Sequence, residues 1–230
     1  MMFGALSAAR AAETERKLDG PLVSGGQSEG RAQRNVWGFV VRKATAADYS
    51  ELADLANLAG GDTLSFIAKG IDPTSDARLI YRDMIASPTG LFSYQNCFVA
   101  ELDGRIVGLA NGFPAKAIEN DRMGIKLTAR EEHLEARTRL NDPHSYLLNN
   151  IAVDPAHHRR GVGTRLLEAV VEEARQQYFS SITLHVWADN ADAIAFYQER
   201  GFRIDGSAMI QWHPELPHVG GSLVFRLNLR

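Results

Sequence analysis

The sequence predicts a single α/β domain behind an N-terminal extension, and three observations predict it. From residue 39 onward, short β-rich runs alternate with segments whose apolar residues recur at helical spacing. Two of those runs, 97–102 and 105–110, are separated only by Asp103 and Gly104, a dipeptide that supplies the positive φ angles of a two-residue hairpin. Later, a strand-like run passes through a Pro/His/Arg/Gly loop directly into a helix with one apolar stripe, formed by Leu166, Leu167, Val170, Val171 and Ala174.

The elements follow in order. Residues 1–36 read as an extension, a short helix over 5–17 and then a loop rich in Gly and Ser over 20–30. The domain occupies 37–230. Residues 39–42 form a strand, and Thr45 with Asp48 makes a capping-box start for a helix carrying Leu52, Leu55, Ala56 and Ala59. Gly60 and Gly61 are expected to end that helix. Residues 76–86 make a second helix with Leu79, Ile80, Tyr81 and Met84 inward, closed by Pro88 and Gly90. After the hairpin, residues 114–142 form a polar helical insert with a second capping box, Thr128 and Glu131, and Leu134 and Leu140 as its apolar anchors. Strands over 146–153 and 182–186, helices over 163–177 and 191–200, and closing strands at 202–204 and 223–229 complete the chain.

Composition narrows the function. With 230 residues, 45% of them hydrophobic and 23% charged, the chain can bury a sizeable core. Its 25 basic and 28 acidic residues leave a net charge of −3, without the basic field expected of a nucleic-acid binder. A lone cysteine, Cys97, excludes an intramolecular disulfide and suits a reducing, cytoplasmic setting, where it reads as a small buried hydrophobe. No apolar run approaches the roughly 20 residues that span a bilayer, and the opening residues have only a short mixed apolar run with no basic region before it, so a secretory leader is not expected. Neither a nucleic-acid nor a membrane partner is predicted.

The informative stretch is the loop before the stripe-bearing helix. Orphan N–H groups at a helix start, with Gly161 and Gly163 allowing close approach and Arg159, Arg160 and Arg165 nearby, make a cradle for phosphate or pyrophosphate. A Walker loop would need a lysine that is absent here, and a dinucleotide fingerprint would need three glycines after the first strand.

The loop, His158-Arg159-Arg160-Gly161-Val162-Gly163 after Ala152-Val153-Asp154-Pro155, resembles the central motif of the GNAT superfamily of acetyl-CoA-dependent N-acetyltransferases. A second family motif is matched by Leu184 to Asn190 and by Phe196, Tyr197, Gly201 and Phe202. The resemblance runs over about residues 38–230 and is weakest across 114–144. His158 departs from the Gln or Arg usual at the motif's first position.

The resemblance implies a GNAT-type fold, a mixed sheet of about six to seven strands flanked by helices and splayed between the fourth and fifth strands. It implies acetyl-CoA as cosubstrate and direct acetyl transfer to an amine in a ternary complex. The pyrophosphate would lie on the backbone of Arg159, Arg160, Gly161, Val162, Gly163 and Thr164, with the side chains of His158 and Arg165 beside it. The pantetheine arm would run along Ile151, Ala152 and Val153, with Asn190 beside it. Tyr197 would protonate the leaving thiolate, since a phenol with a pKa near ~10 can give and regain a proton. Asn190 also suits a plain N-cap.

No single general base emerges. Glu101, His144, His185 and a water held by Asn149 or Asn150 are the candidates, with a solvated strand face as the plain role of Glu101 and packing as that of His185. His213 and His218 lack a third ligand for a metal site. Trp212 and His213 are expected at the acceptor pocket, which the insert would line. The acceptor is an amine on a small molecule, peptide or protein. Another acyl-CoA, a non-catalytic CoA-binding module and a homodimer all stay open.

Overall fold

The computed structural model describes residues 38–122 and 127–229, so the extension falls outside the described residues. Seven strands form one sheet: β1 Val40–Lys43, β2 Cys97–Leu102, β3 Arg105–Pro114, β4 Tyr146–Val153, β5 Ser181–Trp187, β6 Arg203–Ala208 and β7 Ser222–Asn228. Their spatial order is β1-β2-β3-β4-β5-β7-β6. Every neighbouring pair is antiparallel except β4 and β5, which run parallel. Asp103 and Gly104 take φ of 50° and 78°, the left-handed pair that the two-residue hairpin requires.

Helices cover both faces. On one lie α1 Tyr49–Lys69, α2 Ala77–Ala86 and the insert, which folds as α3 Ala117–Arg122, α4 Ala129–His133 and α5 Glu135–Thr138. Leu52, Ala56, Leu64 and Phe66 of α1 pack there with Tyr81 and Ile85 of α2 and with Val99 and Leu109 of the sheet. On the other lie α6 Val162–Gln176 and α7 Ala191–Gln198. The predicted stripe of α6 meets Ile182, Leu184 and Val186 of β5 and Phe225 of β7 there.

Three expectations need correction. The first helix does not end at Gly60 and Gly61: it continues to Lys69 with a kink at Gly60, because Leu64, Phe66, Ile67 and Ala68 bury against the core beyond the kink. Leu79 is not on the inner face of α2: it is 44% exposed, and the buried side chains are Ala77, Tyr81, Met84 and Ile85. The insert is three short helices rather than one, capped at Thr128, whose N–H donates to Glu131 Oε2 at 2.6 Å.

One bulge positions the site. Asn111 pairs with Asn150 but Gly112 pairs with Leu148, so Asn149 is an extra residue in β4. Asn149 Nδ2 donates to the buried Asn111 Oδ1 at 3.0 Å, pinning the bulge. Gly112 has no room for a side chain: a Cβ there would stand 2.8 Å from Tyr146 Cε1 and 3.2 Å from the Leu147 carbonyl. Gly112→Ala is therefore expected to destabilise the fold by about 1–3 kcal/mol, the cost of overpacking a filled core. A urea melt with an unchanged midpoint would overturn that account of the bulge.

Candidate active site

The site begins at the start of α6. Arg159 and Gly161, the latter the N-cap of α6, take left-handed φ of 59° and 78°, a geometry that turns successive N–H groups toward one point. The first helical bond is Arg165 N–H to the Gly161 carbonyl, so the amides from Arg159 to Thr164 have no acceptor among the described residues. Unpaired donors at the positive end of a 15-residue helix suit a pyrophosphate.

The side chains around this cradle are partly committed. The His158 ring Nε2 sits 2.9 Å from the Val153 carbonyl and donates to it, tying the loop to the end of β4. Arg165 pairs with Glu168 on the outer face of α6 at 2.6 Å. Thr164 Oγ1 accepts from Arg200 Nη2 at 2.8 Å, which leaves the hydroxyl proton free to donate. Arg200 also lies 3.8 Å over the Phe196 ring, which fixes a cation at the rim that the motif reading missed.

Beside the cradle the sheet opens. Pairing of β4 with β5 stops after Tyr146–Ile182 and Leu147–Thr183, so Ile151, Ala152 and Val153 bond only to β3 and leave their other edge free. A cavity of about 160 Å³ sits at this split. It is lined by Gly60 of α1, Arg137 of α5, Asn149, Asn150 and Ile151 of β4, His185 and Trp187 of β5, and Asn190 and Tyr197 around α7. The kink at Gly60 brings bare backbone to the wall, where a Cβ would stand 3.1 Å from Tyr81 Oη and 3.5 Å from Asn150 Oδ1.

The cavity gathers most of the predicted catalytic residues. Tyr197 is 6% exposed, and burial pushes its phenol pKa up, so it keeps its proton. Asn190 caps α7 by accepting from Ala193 N–H at 3.0 Å while also lining the cavity. The N-cap reading holds. His185 alternates away from Ile182, Leu184 and Val186 and faces the cavity from β5. Asn141 Oδ1, 2.8 Å from His185 Nε2, can only accept, so the proton sits on Nε2 and the lone pair on the buried, unpartnered Nδ1. Burial first, and the nearby Arg137 charge second, hold the imidazole pKa well below its usual value.

Other candidates lie elsewhere. Glu101 accepts from Arg42 Nε at 2.8 Å within an Arg42–Asp48–Glu101 cluster, and it does not line the cavity. His144 is exposed on the loop before β4 and does not reach it either. Trp212 and His213 are not part of the cavity wall: Trp212 is 60% exposed, and His213 packs against Phe66. The aromatic wall is Trp187, with His218 stacked on it at 4.4 Å. Cys97 is buried, as its plain reading expects. Arg137 carried no motif signal, and only the folding of the insert brings it to the cavity.

Comparisons with known proteins agree with this geometry. The model of the acetyltransferase (GNAT) family matches residues 67–202. A [Ribosomal protein bS18]-alanine N-acetyltransferase of Escherichia coli is 46% identical over 55 residues, 24% of this chain and 37% of that relative. The chain thus matches little more than a third of the relative's length. A crystal structure of an N-acetyltransferase from Staphylococcus aureus superimposes with a TM-score of 0.61 at 18% identity, covering 81% of this chain and 99% of that one. Another acetyltransferase structure gives 0.60 at 23% identity, covering 83% and 99%. These two likenesses speak for the fold. With the family model spanning more than half its residues, and the loop, the split and the sheet order in place, the chain belongs to the acetyltransferase (GNAT) family, whose cosubstrate is acetyl-CoA.

Proposed function

We propose that this chain is an N-acetyltransferase that moves an acetyl group from acetyl-CoA directly to an amine. One observation carries the reading: the run of unpaired amides opening α6 adjoins a split in the sheet whose cavity holds Tyr197 and His185. The backbone of residues 159–164 holds the pyrophosphate, with the side chain of His158 bracing the loop. The free edge of Ile151, Ala152 and Val153 receives the pantetheine arm, and Asn190 lies alongside.

Transfer then needs three proton movements. The attacking ammonium gives a proton to Nδ1 of His185, the one candidate base with an unpartnered lone pair facing the cavity. The amine nitrogen bonds to the thioester carbonyl carbon, the carbon–sulfur bond breaks, and the thiolate takes the Tyr197 proton. The nitrogen, still carrying two hydrogens, gives the second proton to the tyrosinate and becomes a neutral amide, and His185 releases its proton to solvent. Asn149 is held by Asn111 and shapes the bulge, whereas Asn150 is free to orient the amine or a water. Among the described residues no helix is long and apolar enough to cross a membrane. A single buried thiol fits a cytoplasmic setting.

Calorimetry of the ligand-free protein with acetyl-CoA tests the reading. One saturable site is expected, weakened less than about tenfold in dephospho-CoA, because the binding energy sits on the pyrophosphate. No binding at millimolar concentration would overturn it.

A further inference from the structure

Arg137 is a half-buried cation whose guanidinium has no counter-ion among the described residues. It lies in α5 of the insert, its guanidinium 4.7 Å over the Trp187 ring, and its Nη1 is sealed from solvent with no hydrogen-bond partner. No Asp or Glu lines the cavity that it faces. Asn150 Nδ2 and His185 Nδ1 on the same wall are also buried without a partner among the described residues, and Tyr81 Oη lies behind Asn150. The cavity thus holds a fixed positive charge beside a free amide donor.

Leaving a guanidinium unpaired in an apolar setting costs several kcal/mol in general, and native interiors avoid it unless something else supplies the partner. The cost is visible here, since burial lowers the Arg137 pKa to about 10. Trp187 stacking covers one guanidinium face but supplies no negative charge. A planar fork beside free amide donors matches a carboxylate, which accepts two parallel N–H bonds.

We propose that Arg137, with Asn150, binds a carboxylate on the acceptor, so that the amine acetylated here belongs to an amino-acid-like molecule. The inference rests on the transferase reading and names its substrate class. A polycation is disfavoured by the same cavity, which offers it one guanidinium and no acid. The carboxylate is either the α-carboxylate of a free amino acid or an acidic side chain next to the amine of a short peptide. Both present the same group to the same fork.

The test is an acceptor screen by thiol release with acetyl-CoA. It compares L-amino acids, their α-amides, and dipeptide amides with Asp or Glu as second residue. Amino acids turning over while their amides fail assigns the α-carboxylate; acidic dipeptide amides turning over while neutral ones fail assigns the side chain. Either outcome supports the proposal. In R137M, kcat/KM for the accepted class should fall roughly 30-fold, the usual scale for truncating one partner of a buried charge pair. KM for acetyl-CoA should hold.

A second readout needs no turnover. With CoA present, the N-acetylated products of the accepted class should raise the Tm of the native protein and leave that of R137M unmoved. Without ligand, R137M should melt no lower than native, because it removes an uncompensated buried charge. Neutral amines turning over as well as acidic ones, in native and R137M alike, would overturn the carboxylate site and leave the transferase reading intact. A lower Tm of ligand-free R137M, with unchanged acceptor preference, would make Arg137 a structural strut and overturn it too. Absence of acetyl-CoA binding would remove the reading underneath.

Discussion

Tyr197→Phe should lower kcat by about 10²- to 10³-fold and leave KM for acetyl-CoA within about threefold, the pattern of a lost general acid. The separation follows from where the ring sits. Its edges pack against Phe196, Phe202 and Phe225 with centroid distances of 5.1, 5.5 and 6.3 Å, and Phe preserves every one of those contacts. Only the hydroxyl at the cavity changes, so the fold and the cradle at the start of α6 are untouched. Steady-state thiol release at saturating acetyl-CoA reads the effect. A loss confined to KM, or none, would remove Tyr197 from the chemistry and return it to the core. The same packing explains why the residue alone was ambiguous in sequence: an aromatic in an Ala-Phe-Tyr run is placed by its neighbours, and its neighbours come from β7 and the turn after α7.

What could be read beforehand was local. The hairpin followed from Asp103-Gly104, the α6 stripe from spacing, and the cradle from glycines at a helix start, each contained within a few residues. What escaped depends on parts distant in sequence. Gly60 and Gly61 looked like a stop because glycine weakens helices, yet burial of Leu64, Phe66 and Ile67 carries the chain through a kink. The Asn149 bulge exists only as a register between β3 and β4. Arg137 sits in a four-residue helix with no motif, and its meaning comes from Trp187, Tyr81 and Asn150 on three other elements. Among the base candidates the choice was geometric as well. Glu101 and His185 both alternate on strands, but the first is taken by Arg42 while the second keeps Nδ1 without a partner among the described residues.

His185→Gln should cost about 10²- to 10³-fold in kcat/KM, because it removes the proton acceptor while leaving a side chain able to donate to Asn141. The pH dependence fixes the assignment more sharply. Burial and the Arg137 charge hold the imidazole pKa well below 6.5, so native His185 is neutral throughout the physiological range. Its acid limb in kcat/KM should therefore fall well below pH 6.5, with His185 losing activity only once it is protonated. In R137M one of the two causes is gone, the pKa rises, and the limb should move to higher pH. Stability carries the same sign. The unfolded imidazole takes up a proton near pH 6.5 while the folded one does not, so the unfolded state binds more protons and stability falls on acidification below that pH. One group limits that slope to about 1.4 kcal/mol per pH unit. Urea melts between pH 7 and 5 should thus show native losing stability relative to His185→Gln as the pH falls, after the buried carboxylates common to both are allowed for. An acid limb that stays in place in both variants would exclude His185 as the base and leave a water held at Asn150 to take the proton.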